Sequence, residues 1–242
     1  DVCSSDLIII LAAFAIPILY MVNNIIIDID NIDFFDVYNL SKNTVIVSLV
    51  SSILIVVVVI LIQYLKRISK SKILNFTGET ISLTYALPGA VIGISLILLF
   101  SPINDYFGFL LIGSIPVLIY AYFIRYMAVA VSPIASSFKK YPMKLDDSGK
   151  SLGLKPFEFF RKIFLPLNKS AIIIAFCICF VDIMKDLPLT LILRPFNFDT
   201  LATQTYEYAI EEMITKSSIY SITIVIFGVI LLSILSVNQS KK

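Results

Sequence analysis

The chain carries little charge and has no histidine and no tryptophan. Charged residues make up 15% of its 242 residues, whereas a soluble domain carries about 25%. The absence of histidine excludes a histidine-ligated metal site and a serine–histidine catalytic relay. Hydrophobic residues make up 58% of the sequence. This composition predicts an integral membrane protein that is surrounded by a lipid bilayer and has no nucleic-acid partner.

Cysteine is scarce, and its positions do not indicate a metal site. Cys177 and Cys179 lie two residues apart in an apolar run, which places them on different faces of a helix. They are therefore predicted to be small core side chains. Cys3 belongs to residues 1–7, DVCSSDL, which resemble the translation of a sequencing-adapter end. We expect residues 1–7 to be such an artefact fused to a truncated natural chain, residues 8–242.

Six apolar runs are candidates for membrane-spanning helices, which need about 20 mostly apolar residues. They are residues 7–27, 44–65, 80–100, 108–124, 171–184 and 219–237. With these spans, fifteen of the nineteen Lys and Arg residues fall in cytoplasmic segments or at their borders. The positive-inside rule then predicts that both ends of the chain are cytoplasmic. The predicted fold class is an all-α polytopic transmembrane bundle of about six spans.

Three features of these spans carry further expectations. Leu87-Pro88-Gly89 interrupts the third span, so its backbone should face protein neighbours or a cavity rather than lipid. Residues 101–107 are predicted to form a short outer turn and residues 186–216 a long outer segment. Arg125 is predicted to mark the inner end of the fourth span, with 127–138 continuing as a helix toward the cytoplasm.

The polar stretch 146–167 resembles the cytoplasmic loop of importer-type ABC permeases. That loop has a Glu-Ala-Ala triplet, then a glycine, then Ile-x-Leu-Pro. The matching positions here are Asp147, Ser148, Gly149, Gly153, Ile163, Leu165 and Pro166. The spacing is intact, but Gly149 in place of alanine predicts a weaker local helix, by about 1 kcal/mol. An ordinary basic loop near anionic lipid headgroups is the alternative interpretation.

The resemblance implies that residues 139–167, the coupling loop, dock on a separate ABC ATPase. Gly153 would allow a sharp turn between two short helices, and Leu152 and Leu154 would be apolar anchors. Pro166 would restart the chain as the next span. Gly149-Lys150-Ser151 matches the end of a phosphate-binding loop, but no glycine stands at position 144 and no strand precedes it. We therefore predict no catalytic site and no cofactor on this chain, with ATP and magnesium on the partner ATPase.

A second polar stretch, residues 180–206, surrounds the end of the fifth span. Asp182, Lys185 and Asp186 lie three and four residues apart and are predicted to share one helix face. One interpretation is a self-neutralising ion pair that ends the helix at Leu187-Pro188. The other is a gate on a translocation path, because carboxylates near the membrane interior are costly and usually face a pathway or a partner. The residues alone favour neither.

The run from Lys185 to Thr203 resembles the signature of ferric-iron ABC importer permeases, K-E-L-P-A-T-L-x-L-R-P-F-x-F-D-T-L-A-T. Asp186 replaces the glutamate of that signature, and Leu189 replaces its alanine. The resemblance implies a MetI-like fold, a type I importer architecture and the C-terminal half of a longer permease. It also implies a path or gate at Asp182, Lys185, Asp186, Pro188, Arg194 and Asp199. Ferric iron prefers oxygen ligands, so Asp182, Asp186 and Asp199 are candidates for transient metal contacts.

The same resemblance implies a location and a set of partners. The location is the bacterial inner membrane. The partners are an ABC ATPase subunit, a periplasmic substrate-binding protein and the N-terminal half of the permease. Alternatives are the same permease class with a polyamine, thiamine or phosphonate as solute, an ion-coupled carrier or channel, and, least favoured, a membrane enzyme. A carrier should show paired ionisable residues deep in several spans, and here Asp182 alone approaches mid-membrane.

Overall fold

The computed structural model describes residues 2–69, 81, 84–108, 111–151 and 153–240, and their regular secondary structure is helical. The helices are α1 (Val2–Ile27), α2 (Phe34–Ile68), α3 (Gly89–Phe107), α4 (Ile115–Lys139), α5 (Lys144–Ser151), α6 (Pro156–Leu167), α7 (Lys169–Met184), α8 (Pro188–Leu193), α9 (Leu201–Ile210) and α10 (Ile214–Ser240). The middle of α6, Phe160–Phe164, is a π-helical turn. Positions 70, 72, 80, 82, 83, 109, 110, 152, 241 and 242 of the predicted spans, anchors and charges lie outside the described residues.

The first two helices meet at a polar corner. The Asp33 carboxylate accepts hydrogen bonds from the backbone N–H groups of Phe35 (2.9 Å) and Asp36 (3.2 Å), so α2 begins at Phe34. Such a cap satisfies N–H groups that have no partner within the helix. The helix therefore starts ten residues before the predicted span.

The third apolar run is interrupted and stays helical longer than predicted. Ile81 and Thr84 are helical, residues 85–87 form turns, and α3 begins at Gly89, directly after Pro88. The predicted Leu-Pro-Gly interruption therefore lies between these helical residues and α3. Residues 101–107, predicted to be an outer turn, belong to α3. The helix ends where Gly108 takes a left-handed conformation (φ 68°), which glycine adopts at little cost.

The fourth run is one long helix. Ser114 precedes α4 and Pro116 lies in its first turn, where a proline costs no hydrogen bond. The helix then continues without a break from Ile115 to Lys139. The predicted helical continuation over residues 127–138 is present, and the membrane boundary at Arg125 stays a prediction.

A sharp bend separates α6 from α7, the helix of the predicted fifth span. The two axes differ by 73° at Asn168. The buried Asn168 amide donates to the Phe164 carbonyl (2.8 Å) and accepts from the Ser137 hydroxyl (2.7 Å). These bonds satisfy the polar groups that the bend exposes. The new span therefore restarts at Lys169, and Pro166, predicted to restart it, lies in the last turn of α6.

The predicted outer segment 186–216 contains two helices. Pro188 opens α8. The Thr200 hydroxyl caps α9 by accepting a bond from the N–H of Thr203 (3.3 Å). Leu189, Leu193 and Leu201 are fully buried. The segment folds back onto the bundle because these side chains need apolar surroundings.

The centre of the bundle consists of α2, α4 and α7, and α8 packs against α3 and α4. Three described stretches are alone long and apolar enough to cross a membrane: Phe34–Ile68, Ile115–Lys139 and Ile214–Ser233. The bent pair α6 and α7 would make a fourth, and Leu11–Ile27 and Gly89–Asn104 are shorter apolar helices at the first and third predicted spans. The predicted all-α membrane bundle is confirmed, and the count of six spans stays a prediction.

Candidate functional site

The break between α7 and α8 places a carboxylate inside the bundle. α7 ends at Met184, and α8 begins four residues later at Pro188. Asp186, in the break, is buried and caps α8 by accepting a hydrogen bond from the Leu189 N–H (3.0 Å). The break follows from Pro188, whose ring prevents α7 from continuing.

Two α4 residues meet Asp186 from the other side. The Tyr126 hydroxyl donates to its second carboxylate oxygen at 2.5 Å, and the Arg125 Nε lies 3.8 Å from that oxygen. One turn away, the hydroxyls of Tyr122 and Thr190 share a hydrogen bond. Burial raises the pKa of the Asp186 carboxyl, while the Tyr126 bond and the Arg125 charge oppose the rise. The contacts of Asp186 with Tyr126 and of Thr190 with Tyr122 thus join α8 and the residue before it to α4.

Asp182 and Lys185 form a separate pair. Lys185 Nζ lies 2.9 Å from the Asp182 carboxylate, and the lysine side chain is 60% exposed while the aspartate is 16% exposed. The prediction that Asp182, Lys185 and Asp186 share one helix face is wrong for Asp186. The helix ends before that residue, so its side chain turns toward α4.

Both carboxylates line one small cavity. Its volume is about 210 Å³, and its wall comprises Tyr85, Arg125, Tyr126, Asp182, Lys185, Asp186, Leu187 and Pro188. A cavity beside a broken helix, with carboxylate oxygens at its wall, can present hard ligands to a cation. No group of three or more metal-ligating side chains of His, Cys, Asp or Glu occurs among the described residues.

Arg194 and Asp199, predicted for the same site, lie elsewhere. Arg194 forms an ion pair with Asp199 and a second pair with Glu207 of α9 at 2.5 Å. Neither Arg194 nor Asp199 is part of the described wall of the cavity at Asp186. Their arrangement ties the link after α8 to α9.

Two residues of this site were not predicted as site residues. The guanidinium of Arg125 packs directly over Gly89. Any larger residue at position 89 would place its Cβ atom against that guanidinium. Tyr126 supplies the hydrogen bond to Asp186. The available sequence signal was an arginine within an apolar run, since an ionisable residue in a span marks a functional site by default.

The coupling-loop residues lie at the opposite end of the bundle. Asp147, Ser148 and Gly149 are in α5, and α6 begins at Pro156. Gly153 has a φ of 76°, so the predicted turn between two short helices is present. Ile163, Leu165 and Pro166 follow in α6, with Ile163 and Leu165 packed against the core.

An aromatic cluster holds this loop against the membrane helices. The rings of Tyr64 and Phe160 lie 4.4 Å apart, and those of Phe138 and Phe164 lie 4.5 Å apart. The Tyr64 hydroxyl also donates to the Pro156 carbonyl (2.8 Å) at the start of α6. Leu154, predicted to be an apolar anchor, packs against this core. The loop is thus continuous with α2 and α4.

Known proteins similar to this chain are transport permeases. Fe(3+)-transport system permease protein FbpB 2 of Haemophilus influenzae is 30% identical over 147 residues, which are 60% of this chain and 28% of that protein. Maltose/maltodextrin transport system permease protein MalG of Vibrio parahaemolyticus is 26% identical over 167 residues, 69% of this chain and 56% of that protein. The matched part thus spans between 28% and 56% of the length of these relatives.

Solved structures share the fold, and a family model matches most of the chain. The inward-facing MetNI methionine ABC transporter has a TM-score of 0.63 at 16% identity, covering 85% of this chain and 93% of that one. A bacterial ABC transporter involved in the import of the acidic polysaccharide alginate has a TM-score of 0.73 at 11% identity, covering 98% and 93%. The family model matches residues 67–240. The chain therefore belongs to the family of binding-protein-dependent transport system inner membrane components, which are transport components and not enzymes.

Proposed function

We propose that this chain is the permease part of an ATP-driven, binding-protein-dependent ABC importer for ferric iron in a bacterial inner membrane. The observation that carries the iron assignment is the 30% identity with a permease named for Fe(3+) transport. Oxygen chemistry at the cavity supports it, because Fe³⁺ is a hard cation that prefers carboxylate ligands. The similarity to maltose permeases, at 26%, supports the transporter class without favouring iron.

In this proposal the two carboxylates of the cavity have different tasks. Asp182 is paired with a mostly exposed lysine, so an arriving cation can replace Lys185 as its partner. Asp186 already accepts bonds from Tyr126 and Leu189 and keeps the broken helix in place. Asp182 is therefore the transient iron contact, Lys185 is the cation that it exchanges, and Asp186 positions both.

The partners supply the remaining steps. A periplasmic binding protein delivers iron to the outer face, and a second permease half completes the path. An ABC ATPase, which carries ATP and magnesium, grips α5 and the turn at Gly153. Nucleotide binding draws the two coupling loops together and rocks the halves between inward-open and outward-open states. A Cβ at Gly153 would meet nothing within 4 Å, so the left-handed backbone, and not lack of space, is what selects glycine here.

The test is uptake of radioactive ferric iron by the permease assembled with its ATPase and binding protein. We expect uptake that requires ATP and falls on the order of tenfold in Asp182→Asn, the size of effect that one coupled contact commonly has. Gly153→Val, which is strained at a φ of 76°, should uncouple the ATPase more than Gly153→Asn, since asparagine tolerates that conformation.

Other outcomes would redirect the assignment. Absence of iron uptake with an intact, stimulated ATPase would exclude iron and lead to polyamines, thiamine or phosphonates as solutes. Iron uptake that is unchanged in Asp182→Asn would remove that residue from the path. Full coupling in Gly153→Val would contradict the role of the loop.

A further inference from the structure

Arg67, the penultimate residue of α2, has an acceptor for each of its five N–H donors. Nε donates to both oxygens of Asp146, at 2.9 and 3.2 Å. Nη1 donates to the carbonyls of Phe138 (3.0 Å) and Tyr141 (2.9 Å). Nη2 donates to the carbonyl of Pro142 (3.0 Å) and to Asp146 (2.6 Å). Lysine has three donors on one atom and cannot reproduce this fork.

These acceptors lie on different elements of the cytoplasmic end. The Phe138 carbonyl lies in the last turn of α4, and the carbonyls of Tyr141 and Pro142 follow that helix. The last C=O groups of a helix have no partner within it. Asp146 lies in the first turn of α5. The guanidinium also stacks over the ring of Phe164 in α6, 5.0 Å from its centroid. One side chain of α2 thus contacts α4, α5 and α6.

The Arg67–Asp146 ion pair, called here the Arg67 joint, is more buried than an ordinary surface ion pair. The Arg67 and Asp146 side chains are 8% and 17% exposed. An exposed pair contributes little because water screens it, whereas removing one partner of a buried pair leaves a charge without compensation. Asp146 therefore cannot leave Arg67 without a substantial cost, and α5 is tied to the end of α2.

We propose that Arg67 is a positioning residue that couples α5 to the membrane helices, so that α2, α4 and α5 move as one unit. This inference rests on the proposed docking of the ATPase at α5. The pair lies beside Asp147, the first residue of the coupling triplet, and sets the distance of that triplet from the bundle. A force that the ATPase applies to α5 then reaches α2 through the guanidinium.

The decisive variant is Asp146→Asn, because it removes the charge and one of the two oxygens that accept from Arg67, while leaving the Arg67 bonds to the carbonyls of Phe138, Tyr141 and Pro142. In the reconstituted complex with ATPase and binding protein, two quantities are measured: iron transported per ATP hydrolysed, and hydrogen exchange of the α5 amides. We expect the ratio to fall on the order of tenfold, with faster α5 exchange and unchanged co-purification of the ATPase. Arg67→Lys should lower the ratio at least as far, and Lys42→Gln, an exposed cation remote from the loop, should not change it.

Each result decides the inference. An unchanged transport-to-ATP ratio in Asp146→Asn overturns it, and so does a loss confined to the yield or thermal stability of the complex. If the unaltered complex hydrolyses ATP in response to the binding protein but imports no iron, the iron assignment fails and the positioning role is still measured. In that case the readout is stimulation of the ATPase by the binding protein, which Asp146→Asn should reduce and Lys42→Gln should not.

Discussion

Two carboxylates four residues apart have contrasting surroundings, and the contrast suits them to different tasks. Asp182 has an exposed lysine as its partner, which can be exchanged at little cost. Asp186 accepts bonds from a tyrosine hydroxyl and a backbone N–H inside the bundle. Loss of these partners would leave the Asp186 charge buried without compensation, which is destabilising. A mobile contact at Asp182 and a fixed one at Asp186 follow from these surroundings.

The first residue-scale prediction concerns Tyr126→Phe. This change removes the hydroxyl that donates to Asp186 and keeps the ring. The free energy of unfolding in detergent or bicelles should fall by about 1 kcal/mol, the usual contribution of a hydrogen bond between membrane helices. Tyr85→Phe removes a hydroxyl from the wall of the same cavity and serves as the matched control, with unfolding free energy unchanged. Equal unfolding free energies for the wild type and Tyr126→Phe would show that the Tyr126–Asp186 hydrogen bond does not stabilise the bundle.

At the scale of elements, α5 and α6 pack closely because a large side chain of α6 lies against a glycine of α5. The ring of Phe159 occupies the space in which a Cβ atom at Gly149 would lie. Gly149 corresponds to the second alanine of the family triplet, and Phe159 fills the volume that the missing methyl leaves. The weaker helix propensity of glycine, about 1 kcal/mol, is offset by ring burial at Phe159, which is 4% exposed.

This fit predicts that restoring the family residue is harmful. Gly149→Ala should push α5 away from α6, since the methyl would overlap the Phe159 ring, and overpacking of this kind costs about 1–3 kcal/mol. The measurement is hydrogen exchange of the α5 amides together with binding of the ATPase. The second variant, Gly149→Ala with Phe159→Leu, should restore the protection of the α5 amides from hydrogen exchange, because the smaller leucine side chain leaves space for the alanine methyl. A gain of α5 protection in Gly149→Ala alone would mean that helix propensity outweighs the packing.

The sequence predicts those elements whose limits depend on local chemistry. The break at Leu187-Pro188 and the turn at Gly153 come from proline and glycine, whose backbone preferences act within a residue or two. The cap of α9 by Thr200 and the end of α3 at Gly108 carried comparable local signals, but the apolar pattern alone set the predicted limits.

Contacts between distant residues account for what the sequence did not predict. The bonds of Asp186 to Tyr126 and of Arg67 to Asp146 span 60 and 79 residues. Spacing within a run of sequence carries no information about such pairs. The charge of Arg67 indicated a cytoplasmic helix end under the positive-inside rule, and its role as a joint required three-dimensional packing.

At the scale of the whole molecule, the bundle exposes strongly apolar side chains, as expected of a chain that lies in a bilayer. Phe14 of α1 is 58% exposed and Leu98 of α3 is 70% exposed, although both are strongly hydrophobic. In water such a surface would be an aggregation hazard, whereas lipid tails are as apolar as the side chains themselves. What holds the helices together must therefore be close packing and buried polar bonds. The buried hydrogen bonds of Asp186 with Tyr126 and of Arg67 with Asp146 fit this requirement at two places in the bundle.

The last prediction is the orientation of that bundle. The link between α1 and α2 contains acids and no Lys or Arg, while the coupling loop contains six lysines and one arginine. The link should therefore lie outside and the coupling loop inside. With Cys3 replaced, cysteine is introduced singly at the exposed positions Asp30 and Lys162, and intact spheroplasts are treated with a membrane-impermeant maleimide. Asp30→Cys should react at once and Lys162→Cys only after permeabilisation, while the buried thiols of Cys177 and Cys179 give the background. The reverse pattern would place α5 on the outer side, out of reach of a cytoplasmic ATPase, and would contradict both the coupling role and the joint at Arg67.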